Sequence, residues 1–114
     1  MPAYLIATVR NLHDRPGLEE YWASTGPSWE GIDAKRLAIY TPFKLLEGRG
    51  SVEGVVVIEF PDMETATRWY ESDAYQAARQ HRIGAADVDM ILVDGGSVPV
   101  EQRMLHAKGA APKS

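Results

Sequence analysis

The residues best suited to chemistry fall in two stretches, "VVVIEF" at 55–60 and "RWYESDAYQAARQHR" at 68–82. In the first, Glu59 follows Val55 and Val57 at every second position, the spacing that puts strand residues on one face. A carboxylate at the end of an apolar stripe is either a general acid or base facing a cavity, or half of an ion pair with Arg36 or Arg79 that fixes the strand end. In the second stretch, Trp69, Tyr70 and Tyr75 crowd a helix break at Ser72. Arg79 follows Tyr75 by one helical turn and so shares its face. Aromatic walls with a few polar ends suit a small-molecule pocket, and the same rings equally suit a core closing over a sheet.

Arg36 and Arg79 are of the type that holds a carboxylate or enolate through paired hydrogen bonds. Tyr40 brings a hydroxyl to the end of a strand, for proton donation or only for packing with its oxygen in water. His13, beside Asp14, brings an imidazole, the side chain that exchanges protons most readily near neutrality, or else is simply exposed in a loop. Glu59, Tyr75, Tyr40 and His13 are therefore the candidates for proton transfer. Arg36, Arg79, Trp69 and Tyr70 are the candidates for substrate binding. His81 and Arg82 read as part of an exposed basic face.

Other chemistries find no foothold. There is no cysteine, hence no disulfide, thiolate nucleophile or sulfur-held metal. His13, His81 and His106 are the only histidines, and no two stand at ligand spacing, so no metal is expected. "GRGSVEG" lacks the Lys-Ser/Thr of a phosphate cradle, and no serine sits in a nucleophile elbow. No cofactor is expected. Sixteen acidic against twelve basic residues, a net charge of −4, argue against nucleic acid and anionic membranes as partners. The opening "MPAYLIATVR" reads as neither signal peptide nor membrane span, and the expected location is the cytoplasm.

Periodicity supplies the elements that must position these residues. "AYLIATV" (3–9), "KRLAIY" (35–40), "VEGVVVIEF" (52–60) and "DVDMILVDGG" (87–96) read as strands. A first helix follows Asp14 and Pro16, with Leu18, Tyr21, Trp22 and Thr25 on its buried face. Gly26 and Pro27 end it, and "SWEGID" is irregular. A short ordered piece is expected around Phe43–Glu47. A second helix starts near Met63, is broken and recapped at Ser72, and stops at Gly84. Residues 1–96 thus form one domain, and 97–114 a polar tail.

The order βαββαβ is that of a ferredoxin-like α+β fold. Two helices cover only one face of such a sheet. Yet Val55 and Val57 oppose Val56, Ile58 and Phe60, and Met90 and Leu92 oppose Ile91 and Val93, so both faces are apolar. A sheet buried on both sides needs a second cover. A second copy of the chain is the simplest supply, giving a homodimer.

"MPAYLIA", "VVVIEFPDMETATRWYESDAYQAARQHRIGAAD" and "ILVDG" resemble the small bacterial family of domain of unknown function 1330, within the dimeric α+β barrels. The resemblance spans roughly residues 2–95 and is most specific in "EFPDMETATRWYESDAYQAAR". It implies a ferredoxin-like protomer whose sheet packs on a second copy. Relatives across the superfamily include cofactor-free oxygenases, isomerases, lyases and cyclases. The resemblance thus implies a small aromatic or polyketide-like substrate, as in natural-product biosynthesis, and with no cysteine, metal motif or nucleotide loop the mechanism left open is cofactor-free acid–base chemistry. The rival reading is a non-catalytic ligand-binding or structural dimer. The chain departs from the family around its second strand, where "DAKRLAIYTPF" replaces a pattern like "GGRFLVRGG". Arg36 matches the first basic position, but Tyr40 stands where the second would fall. If the family shares a ligand, this member binds a different one.

Overall fold

The computed structural model describes residues 1–105. The rest of the tail, with His106, lies outside the described residues. Four strands form one sheet in the order β2-β3-β1-β4: β1 (Ala3–Arg10), β2 (Lys35–Ile39), β3 (Val52–Phe60) and β4 (Asp87–Asp94). All neighbouring strands run antiparallel, and β1 pairs Ala3 with Phe60 on β3 and with Asp94 on β4. Helices α1 (Arg15–Ser24), α2 (Met63–Glu71) and α3 (Asp73–Arg82) supply the second layer. This is the ferredoxin-like α+β fold expected from the order of the elements.

Each helix begins where a side chain can satisfy its free amides. Asp14 accepts from Gly17 N at 3.0 Å, Asp62 from Thr65 N at 2.7 Å, and Ser72 from Tyr75 N at 3.1 Å. Ser72 also donates to the Trp69 carbonyl at 2.7 Å, so one residue closes α2 and opens α3. Where a loose approach is expected, Gly26–Trp29 instead winds into a short 3-10 turn. That turn carries Trp29 down onto Trp69, with ring centroids 4.5 Å apart and planes at 17°. No regular element forms over Phe43–Glu47, whose side chains are all exposed. A segment with neither period nor a surface to pack on has nothing to pay the ordering entropy.

The alternation along β1 and β3 decides what each face meets. Ala3, Leu5, Ala7 and Val9 of β1, with Gly54, Val56, Ile58 and Phe60 of β3, face the helices. Leu5, Ile58, Phe60, Ala66, Trp69 and Tyr75 form the buried centre of the core. Tyr4, Ile6, Thr8, Val55, Val57, Ile91 and Val93 point to the other side, away from α1, α2 and α3. Ile91 keeps 59% of its surface exposed, Val93 42% and Ile6 37%.

Candidate functional site

A cavity of about 570 Å³ opens between the helices and the inner face of the sheet. Its floor is the inner face of the sheet, where Leu5, Ile58 and Met90 flank the smaller Ala7, Val9, Val56 and Val88. Its walls are large: Tyr21 and Trp22 from α1, Trp29 from the 3-10 turn, Trp69 from α2 and Tyr40 after β2. Small side chains beneath long aromatic ones hold the layers apart without filling the gap.

Local geometry aims the polar groups into this space. A register shift between Arg36 and Ala38 leaves Leu37 outside the ladder, so Arg36 and Ile39 both turn to the cavity side of β2. The Arg36 guanidinium lies 5.1 Å from the centre of the Trp29 ring, and that of Arg15 lies 5.3 Å from Trp22. Tyr40 sits in the left-handed region at φ 52°, a conformation that costs a bulky residue about 1–3 kcal/mol. Its ring packs on Trp22 at 4.8 Å and lies over Gly54, where any Cβ would come within 2.7 Å of it.

Arg82 is the decisive member. Its side chain closes α3, is only 9% exposed and lines the cavity. Its Nη2 donates to the Tyr75 hydroxyl at 3.2 Å, and that hydroxyl is 2.9 Å from the hydroxyl of Tyr21. Among the described residues no carboxylate lies within ion-pair distance of Arg82. Arginine keeps its charge even when buried, so the cavity holds a fixed cation with no anion of the described residues beside it. Burial first, and then the neighbouring Tyr75, push the Tyr21 phenol far above its ordinary value. Burial raises the Tyr40 phenol as well. Both are protonated at neutral pH, so each has a hydrogen to offer.

Three buried side-chain nitrogens find no partner among the described residues: Trp22 Nε1, Arg82 Nε and Arg79 Nε. Two of them belong to cavity walls, and all are donors. Buried donors in folded proteins are nearly always matched, so the Trp22 and Arg82 nitrogens leave the cavity short of acceptors. None of the lining residues is Asp, Glu or His. No three His, Asp or Glu side chains gather at metal distance among the described residues.

The candidates read from the sequence divide accordingly. Arg36, Tyr40 and Trp69 line the cavity, Trp69 with its Nε1 donating to Ser28 Oγ at 3.1 Å. Tyr75 is wholly buried behind the wall, and its hydroxyl reaches the site only through Arg82 and Tyr21. Tyr70 packs 5.4 Å from Tyr75 and is not part of the wall, and Arg79 is likewise outside it. Glu59 shares a face with Val55 and Val57 as expected, but that face looks away from the cavity. There it meets Lys35 at 3.8 Å, rather than Arg36 or Arg79. His13 is exposed in the β1–α1 loop, held by its backbone amide to the Ala85 carbonyl at 2.8 Å. The pair that shares a face of α3 and a hydrogen bond is Tyr75 with Arg82, not Tyr75 with Arg79. Arg82 is thus no part of an exposed basic face.

The profile of the family described as Domain of unknown function (DUF1330) matches residues 2–96. The chain belongs to this family. Among solved structures, the DUF1330 chain is similar to a protein of unknown function from Rhodopseudomonas palustris, at 19% identity and TM-score 0.64, over 85% of this chain and 84% of that one. It is also similar to a dimeric ferredoxin-like protein of unknown function from Jannaschia sp., at 8% identity and TM-score 0.57, over 83% of this chain and all of that one. A third is SnoaB, a cofactor-independent oxygenase from Streptomyces nogalater, at 12% identity and TM-score 0.54, over 85% of this chain and 95% of that one. At such identities the likeness is one of fold. No curated protein matches the sequence. No helix among the described residues is long and apolar enough to cross a membrane.

Proposed function

We propose that this DUF1330 protein is a homodimer that holds a small aromatic anion in the helix–sheet cavity and acts on it by cofactor-independent chemistry. The observation that carries the reading is the buried, carboxylate-free Arg82 in an aromatic cavity whose unmatched polar atoms are all donors. A carboxylate, enolate or phenolate supplies the missing acceptors. Its ring finds the faces of Trp22, Trp29 and Trp69. The fold shared with SnoaB, itself a cofactor-independent oxygenase, supports the same direction.

The side chains divide the work in a simple way. Preorganised cations and donors stabilise negative charge that develops on a bound oxygen, and do so more strongly in a site shielded from water. Arg82 and the tyrosine hydroxyls stand ready for this. No lining side chain is a carboxylate or imidazole, so the substrate must itself be acidic enough to arrive as an anion, or to become one beside Arg82. Such a substrate is a stabilised enol or phenol, as aromatic and polyketide-like molecules often are.

The same lack of a proton acceptor in the wall favours a second reading, a binding module without turnover. All three tryptophans of the chain line the cavity, so their fluorescence reports its occupancy directly. Titration with 2-naphthoate should quench it saturably, and 2-methylnaphthalene should bind much more weakly. Equal affinity for the two would defeat the anion site. Enolisable aromatic substrates that bind but remain unconverted under air would decide for the binding module.

A further inference from the structure

We propose that Tyr21 is the group that donates a hydrogen bond to the ligand's anionic oxygen, and that Tyr75 and Arg82 hold it in that direction. The inference rests on the anion-binding reading above and goes beyond it by assigning the proton order along one chain of atoms.

Tyr21 lines the cavity, and Tyr75 has no exposed surface at all. A phenol oxygen has one proton to give and can accept from others. The Tyr75 oxygen accepts from Arg82 Nη2 at 3.2 Å. Its own proton then has two possible acceptors, the Tyr21 oxygen at 2.9 Å and the Met90 sulfur at 3.9 Å. A thioether is a weak acceptor and an oxygen a strong one, so the proton lies toward Tyr21. The Tyr21 oxygen is thereby occupied as an acceptor, and its own hydrogen has no acceptor among its described partners. That hydrogen is left for whatever fills the cavity.

The order is therefore Arg82 to Tyr75, Tyr75 to Tyr21, and Tyr21 to the ligand. Each donor polarises the next, which strengthens the last bond of the chain. The opposite order, with Tyr21 donating to Tyr75, would turn a lone pair toward the cavity and repel an anion. Arg82 biases the choice, because its charge draws on the Tyr75 oxygen and makes that oxygen the poorer acceptor and the better donor. The ligand group that fits is an oxygen that only accepts: carboxylate, enolate or phenolate.

The experiment compares Tyr21→Phe, Tyr75→Phe and the double variant with the wild type, using tryptophan quenching by 2-naphthoate and by 2-methylnaphthalene. Tyr21→Phe should weaken naphthoate roughly tenfold or more, the usual effect of losing a hydrogen bond to a charged group, and leave methylnaphthalene unchanged. Tyr75→Phe leaves Tyr21 in the wall but frees its orientation, so naphthoate should weaken by less. The double variant should bind naphthoate no more tightly than Tyr21→Phe, and any further loss measures what Tyr75 contributes by holding Arg82. Unchanged naphthoate affinity in Tyr21→Phe overturns the proposal, as does an equal loss for both probes, which would mean packing alone. A wild type that ignores naphthoate overturns the anion-binding reading itself, a result distinct from a wild type that binds while Tyr21→Phe binds equally well.

Discussion

Arg82 donates to the hydroxyl of Tyr75 from two turns further along the same helix, and the pair ties the end of α3 to the wall of the cavity. This relationship makes the helix break useful. Because Ser72 starts a new helix, Tyr75 stands in the first turn of α3 and Arg82 in the last. A continuous helix through 63–82 would carry the α3 residues along the axis of α2 and away from α1. With the break, Tyr75 meets Tyr21 of α1 at 2.9 Å.

A buried cation without an anion is a burden on the fold that a ligand relieves. Arg82→Met keeps much of the side chain's length and removes the charge. Melting should show unchanged stability, or a gain of about 1 kcal/mol, because replacing buried ionic groups by apolar ones is often neutral or favourable. Naphthoate quenching should vanish. A marked fall in melting temperature with affinity retained would make Arg82 a structural residue instead.

Gly54 is fixed by its neighbour. A Cβ there would stand 2.7 Å from Cδ1 of the Tyr40 ring, on a strand that has no room to retreat between β2 and β1. Gly54→Ala should destabilise by about 1–3 kcal/mol, the range for overpacking, and displace Tyr40 from Trp22. The displacement is visible as a changed Trp22 emission, separable in a background where Trp29 and Trp69 are Phe. An unaltered emission together with unaltered melting would show that Tyr40 is not seated on Gly54.

Much of the frame was legible because it follows from local rules. The period of two along β3 assigned Val56 and Val57 to opposite faces, and Asp14 and Ser72 announced their helices by residue type alone. The site was less legible. Glu59 was placed on the right stripe, but both stripes of β3 are apolar, and only the position of the helices decides which one borders a cavity. Arg82 carried a readable signal, since residues seven apart share a helical face with Tyr75, yet a run with His81 and Arg79 looks like a solvated surface. Trp29 carried none. It enters the wall through a 3-10 turn that no periodicity marks.

Acid should expose the contribution of Asp62. Its carboxyl is held below the ordinary value, first by the Thr65 side chain and then by the Thr65 backbone amide, both of which favour the charged form. The depressed value means stability that is fully present above the unfolded-state pKa, near 3.8, and lost as pH falls through the lower folded-state value. Asp62→Asn retains a capping oxygen but no titration. Thermal melting between roughly pH 5 and pH 2 should therefore fall more steeply for the wild type than for the variant. Parallel curves would mean that the cap does not depend on charge.

The face of the sheet turned away from the helices should be covered by a second copy of the chain. Tyr4, Ile6, Val55, Val57, Ile91 and Val93 lie together there on three adjacent strands, a contiguous apolar patch of the kind that marks an interaction surface. Ile91 makes the sharper test, because 59% of its surface is exposed in the single protomer, whose own packing does not need it. Ile91→Lys would place a charge on that apolar face, opposite Ile6 of β1, and leave the protomer fold intact. Sedimentation at micromolar concentration should give a dimer for the wild type and a monomer for Ile91→Lys, with the cavity still binding naphthoate in both. Leu46→Lys is the control: that side chain is 83% exposed in the β2–β3 connection, outside the strands, and its replacement should not change the mass. A monomeric wild type would remove the dimer, and an Ile91→Lys that remains dimeric would move the contact to another surface.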